Sequence, residues 1–85
     1  MTAPTMTVTV LLFASYADAL GERTIPLELP NGSTVAEAVR RVREMAGSAR
    51  LPMEPMVAVN EEYARSDRAL VSGDEVAIIP PVAGG

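Results

Sequence analysis

Only one stretch of this chain, Thr34 to Met45, spaces its apolar residues for a helix of several turns, and it lies among short runs that alternate as strands do. That combination limits the fold severely. A single helix covers one face of a small sheet and leaves the other face for solvent or a partner. Val35, Ala38, Val39, Val42, Met45 and Ala46 make the helical stripe, with Glu37, Arg40, Arg41 and Glu44 mostly off it. Thr34 as N-cap and Glu37 three residues on form a capping box, and Gly47 is placed to end the helix. Arg40, Arg41 and Arg43 are expected to pair with Glu37 and Glu44 rather than to bind nucleic acid.

Before the helix, the run from Thr7 to Ala14 starts as a β-branched alternation that puts Val8, Val10 and Leu12 on one face. Thr7, Thr9, Leu11 and Phe13 take the other face, so the second half of this strand is apolar on both sides. A polar and alanine-containing stretch then closes at Gly21 and is assigned no element. Thr24 to Leu29 alternates again, with Ile25, Leu27 and Leu29 on one side; Pro26 has no N–H for a ladder and points to an edge or a bulge. Pro30 to Ser33 is a turn. Beyond the helix come a loop from Ser48 to Pro55, a strand from Met56 to Asn60, a turn to Glu62 and a short return strand at Tyr63-Ala64. Ser72-Gly73-Asp74 turns the chain into the last strand, Glu75 to Ile79, which the Pro80-Pro81 pair stops. The expected fold is α+β, a mixed sheet of four to five strands with one main helix on one face. Residues 1–5 are expected to be a flexible arm, 6–80 the domain and 81–85 a flexible Gly-Gly tail.

Composition excludes most chemistry. At 85 residues and 48% apolar content the chain makes one small domain. With no Cys and no His it has no thiol nucleophile, no disulfide, no zinc ligand set and no imidazole base. A net charge of −4 and the lack of a stacking platform argue against nucleic acid. No apolar run is long enough to span a membrane, and the run from Val8 to Ala14 lacks the preceding basic residues of a signal peptide, so the expected location is cytoplasmic. The acid pairs Glu61-Glu62 and Asp74-Glu75 lie in or beside turns with no His or Cys near them in the sequence; they are expected to be solvated turn charge, not a metal site. Such a chain is not expected to be an enzyme alone or to bind a cofactor.

If Val8, Val10, Leu12, Val76 and Ile78 meet the helix, then Leu11, Phe13, Ala77 and Ile79 point outward, and Tyr63 is placed to join them. Contiguous outward apolar area marks a protein interface. The chain ends Pro80-Pro81-Val82-Ala83-Gly84-Gly85, which makes the main-chain carboxylate of Gly85 the candidate reactive group. A Gly-Gly end can thread a narrow tunnel, because neither residue carries a side chain. Extended, Val82 to Gly85 spans roughly 13 Å. Pro80 and Pro81 would stiffen its exit. All seven cationic residues are Arg; a genome that favours Arg accounts for this, and so does a need to keep amines away from an activated acyl group.

The strand ending Leu12-Phe13-Ala14, the Leu20-Gly21 turn, the Thr34 to Met45 helix, Val57-Ala58-Val59-Asn60, Gly73-Asp74-Glu75-Val76 and the Pro-Pro-Val-Ala-Gly-Gly ending together resemble the small subunit of molybdopterin synthase. The resemblance runs from about Met6 to Gly85 and departs at Ala17-Asp18, where many members have Arg-Glu. It implies a ubiquitin-like β-grasp sulfur carrier. A ubiquitin-activating-like adenylyltransferase, using ATP and Mg²⁺, would adenylate Gly85, and a sulfurtransferase would supply the persulfide that makes a C-terminal thiocarboxylate. The large synthase subunit would receive the tail, and the sulfur would pass to cyclic pyranopterin monophosphate to build the molybdopterin dithiolene. Phe13, Tyr63 and Ile79 are the partner-binding positions it implies, with Leu11 beside them and Pro80, Pro81, Val82, Ala83 and Gly84 along the inserted tail. A sulfur carrier for thiazole or tRNA thiolation, a ubiquitin-like protein modifier and a plain adaptor with an inert tail remain the alternatives.

Overall fold

The first strand, β1 (Thr5–Leu12), sits near the middle of the sheet and sets its two faces. Met6, Val8, Val10 and Leu12 are buried, while Thr5 and Thr7 are exposed and Thr9 and Leu11 are half-buried, as the alternation requires. The computed structural model describes residues 4–47, 51 and 55–80. Pairing begins at Thr5, opposite Pro30, one residue inside the segment expected to be a loose arm. The next residue, Met6, is already in the core.

A short helix, α1 (Ala14–Leu20), follows where no element was expected. Phe13 is its extended N-cap, Ala14 takes a left-handed φ of 48°, and the chain folds back at the end of β1. Tyr16 is buried in the main core with Ala17 and Leu20 packed around it. Gly21, at φ 75°, closes the helix by donating its N–H to the Ala17 carbonyl at 2.7 Å. The described residues therefore form two helices.

β2 (Thr24–Pro30) pairs antiparallel with β1 and buries Ile25, Leu27 and Leu29. It is an edge strand, so Pro26 forfeits no inner ladder bond. The main helix, α2 (Val35–Met45), starts at Thr34, whose N–H donates to Glu37 Oε1 at 3.3 Å as the capping box predicts. Val35, Ala38, Val39 and Val42 are buried against the sheet. Met45, expected on the same stripe, is 52% exposed, while Ala46 beside it packs against the core. The expected Arg–Glu pairing gives way to other bonds: Glu37 serves the cap, and Arg43 Nε donates to the Leu51 carbonyl at 3.2 Å.

β3 (Met56–Val59), β4 (Glu62–Tyr63) and β5 (Glu75–Ile79) complete a five-stranded sheet in the order β2-β1-β5-β3-β4. β1 and β5 are parallel and every other pair is antiparallel. Val57 and Val59, Val76 and Ile78, and the buried residues of β1 and β2 share one cluster with the α2 stripe, Tyr16, Leu51 and Leu70. One face of the sheet is thus closed by the core. The loop after β4 also completes the start of α2, since Val35 and Ala36 donate their N–H groups to the carbonyls of Arg68 and Ser66 at 2.9 Å each.

Candidate functional site

The face opposite the core carries a groove of about 560 Å³ lined by Leu11, Phe13, Ala58, Glu61, Tyr63, Glu75, Ala77, Ile79 and Pro80. Its geometry follows from cross-strand register. Leu11 stands beside Ala77, Ala77 beside Ala58, and Ala58 beside Tyr63, so one row crosses four strands. The two alanines give the row a low floor, and Leu11 and Tyr63 rise at its sides. Along β5 the outward positions are Glu75, Ala77 and Ile79, which lead to Pro80 and the start of the tail.

Exposure shows how unsatisfied this face is. Tyr63 is 76% exposed and Phe13 46% exposed, both far above what a packed aromatic shows. Leu11, Ile79 and Pro80 are half-buried. Fully burying an exposed side chain of this kind is worth about 1.5–3 kcal/mol, so covering the still-exposed parts of this face is favourable. The structure brings Leu11, Phe13, Tyr63, Ile79 and Pro80 together along this groove, with Leu11, Phe13 and Ile79 on the outward face that the alternation expected. Pro81, Val82, Ala83, Gly84 and Gly85 lie outside the described residues.

Three lining residues escaped the sequence. Ala58 is only 7% exposed, and although it alternates with core-facing Val57 and Val59, its place in the groove emerges from its pairing with Ala77. Glu61 and Glu75 flank the groove at the end away from Pro80. Glu61 occupies the second position of the two-residue Asn60-Glu61 hairpin turn, where both residues are left-handed, with φ of 52° and 72°. Such a turn favours Asn-Gly, so Asn60 fits and Glu61 is strained.

Asp74, expected to be solvated turn charge, is instead 7% exposed and locked in place. Its Oδ2 accepts the Val71 N–H at 2.9 Å and its Oδ1 accepts Asn60 Nδ2 at 3.0 Å. Asn60 Oδ1 in turn accepts the Glu75 N–H at 3.0 Å, and the Asn60 N–H donates to the Glu75 carbonyl at 2.8 Å. The Val71 N–H, ahead of Asn60 and the Arg68 guanidinium, holds the Asp74 carboxyl below its ordinary value, while burial pushes the other way. This clamp ties the β3–β4 hairpin to the start of β5 and so fixes the acidic end of the groove. Among the described residues no group of three or more acidic side chains is placed to hold a metal ion, and no helix is long and apolar enough to cross a membrane.

Among the described residues, two helices and a five-stranded sheet make the ubiquitin-like β-grasp fold, with an open apolar groove that ends at Pro80. The chain belongs to the ThiS family, which it matches over residues 10–85. It is 36% identical over 80 residues to the molybdopterin synthase sulfur carrier subunit of Dictyostelium discoideum, covering 89% of this chain and 93% of that protein. Its fold is similar to that of SAMP1, the small archaeal modifier protein 1 of Haloferax volcanii, with a TM-score of 0.79 and 28% identity over 93% of this chain and 99% of that one. It also superposes on a chain from a complex of subunits 1 and 2 of the Helicobacter pylori molybdopterin-converting factor, with a TM-score of 0.66. At 22% identity over 94% of this chain and all of that one, this last likeness shows the fold alone.

Proposed function

We propose that this protein is the sulfur carrier subunit of a molybdopterin synthase. The observation that carries the reading is that β5 both floors the groove, through Ala77 and Ile79, and runs directly into the Pro80 to Gly85 segment. A partner held on the groove is therefore positioned to receive the tail. The identity to a sulfur carrier subunit over nine-tenths of the chain supports the same role.

In this reading the Gly85 carboxylate attacks the α-phosphate of ATP on an adenylyltransferase that supplies Mg²⁺, and pyrophosphate leaves. A persulfide from a sulfurtransferase displaces AMP, and thiol reduction of the resulting acyl disulfide leaves the thiocarboxylate. The groove then docks the large synthase subunit. Leu11, Phe13, Tyr63 and Ile79 form the contact, and Pro80 to Ala83 lead Gly84 and Gly85 into its active site. There the thiocarboxylate sulfur passes to cyclic pyranopterin monophosphate. The folded domain supplies docking and orientation, and the reactive atom belongs to the chain terminus. Pre-ordering by two prolines lowers the entropy lost when the tail inserts.

Co-expression with the activating enzyme is expected to raise the intact mass by the difference between sulfur and oxygen, and deletion of Gly85 to abolish that gain. The thiocarboxylate form, mixed with the large subunit and cyclic pyranopterin monophosphate, is expected to yield the dithiolene product. No mass gain with a competent activating enzyme would overturn the reading. The likeness to small archaeal modifier protein 1 favours a second one, attachment of Gly85 to lysines of target proteins, which would appear after trypsin as a 17-residue branch, Ala69 to Gly85, on target peptides, since Arg68 is the last cationic residue.

A further inference from the structure

The groove is apolar at one end and acidic at the other. Phe13, Ile79 and Pro80 occupy the tail end, Ala58 and Ala77 lie in the middle, and Glu61 and Glu75 stand at the far end. Glu75 is four residues before Ile79 on the same strand, which separates the two ends by roughly 13 Å. Among the described residues neither Glu61 nor Glu75 has a hydrogen-bond partner for its carboxylate. The Asn60 bonds to the Glu75 backbone hold both acids on one side of the groove, so the two like charges share an end although separation would cost less.

A second copy of the chain does not suit this surface, since it carries the same net charge of −4 and the same acids. The charge calls for a basic occupant, and the alanine floor calls for an apolar one. We propose that the groove accepts its partner segment in one direction only: an apolar side chain seats on Ala58 and Ala77 between Leu11 and Tyr63, and an Arg or Lys farther from the tail exit faces Glu61 and Glu75. The apolar seat supplies the affinity and the acidic end sets the orientation, which aligns the partner's active site with the tail. This rests on the docking reading above and adds its polarity. Rim charges act chiefly on encounter, so the acids govern the association rate and its sensitivity to salt, with a smaller effect on dissociation.

The test measures binding of the full chain to the large synthase subunit of the same organism by stopped-flow mixing across a range of salt concentrations. Three variants separate the claims. Ala77→Arg fills the floor and is expected to abolish binding. The double variant Glu61→Gln with Glu75→Gln is expected to associate about 3- to 10-fold more slowly at low salt, with a flattened salt dependence and a dissociation rate within about twofold of the parent. Glu61→Gly removes one acid and also relieves the left-handed strain, so it is expected to melt at a higher temperature and still associate more slowly. A weakened fold cannot produce that pair of results. If Ala77→Arg blocks binding while both acid variants associate as the parent does at every salt concentration, the oriented groove is wrong and docking stands. If Ala77→Arg binds normally, docking on this face is wrong and the orientation falls with it.

Discussion

Asp74 does the work of a covalent staple without being one. Its two oxygens satisfy the Val71 N–H and the Asn60 amide at once, and neither donor has another partner among the described bonds. Replacing it with Ala leaves the partly buried Val71 N–H without this partner and frees the Asn60 side chain, so Asp74→Ala is expected to cost about 1–2 kcal/mol, read from urea unfolding. The carboxyl also makes stability depend on pH. Because its folded-state value lies below the unfolded one, its contribution is complete above about pH 4, the ordinary aspartate value, and is lost as pH falls through the lower folded value. Melting curves recorded from pH 7 downward should show this loss in the parent, and Asp74→Asn should flatten that part of the profile. The adjacent pair in the sequence thus divides its labour: Asp74 is structural and Glu75 faces the groove.

Among the elements, the corner between β1 and α1 is the least expected and has the most to do with the site. The turn at Ala14 leaves Phe13 at the rim of the groove while Tyr16, three residues on, is anchored in the core on the other side. Tyr16→Ala is expected to cost about 3 kcal/mol and to weaken partner binding as well, because the corner that presents Phe13 loses its anchor. Calorimetry of folding and of binding on the same variant checks both halves. Sequence alternation was enough to find the faces of β1, β2 and β5, and the capping box placed α2 to within a residue. It missed α1 because seven residues give only two turns, and their apolar positions continue the apolar run at the end of β1; the Tyr16-Leu20 spacing before Gly21 was the available signal. The same limit applied to the site. Leu11, Phe13, Ala58, Glu75 and Ile79 are outward by local period, whereas their meeting in one groove with Glu61 depends on which strands lie side by side, a property no local segment contains.

At the scale of the whole molecule, one helix-bearing face builds the stability and the bare face is free to bind. The two should therefore separate under mutation. Tyr63→Ala removes a largely exposed side chain and is expected to change folding stability by less than about 0.5 kcal/mol, whereas Phe13→Ala removes one that is about half buried and is expected to cost about 1 kcal/mol. Each is also expected to weaken binding of the large subunit about 10- to 100-fold, since exposed aromatics that become buried are the usual energetic anchors of an interface. Thermal melts and titration calorimetry on the same samples distinguish this from general unfolding.

The parallel contact between β1 and β5 carries a further consequence. β1 enters the sheet from the N-terminal side and β5 leaves it toward the C-terminal side, so the start of β1 and the end of β5 lie at opposite ends of one hydrogen-bonded ladder. A pull on the tail against the N-terminus loads the rungs from Thr9–Glu75 to Leu12–Ile78 in shear, all at once, and cannot peel them singly. Four rungs that share a load resist it better than rungs met one at a time, so a pull on the end of β5 is expected to meet more resistance than a pull that unzips the edge strand β2.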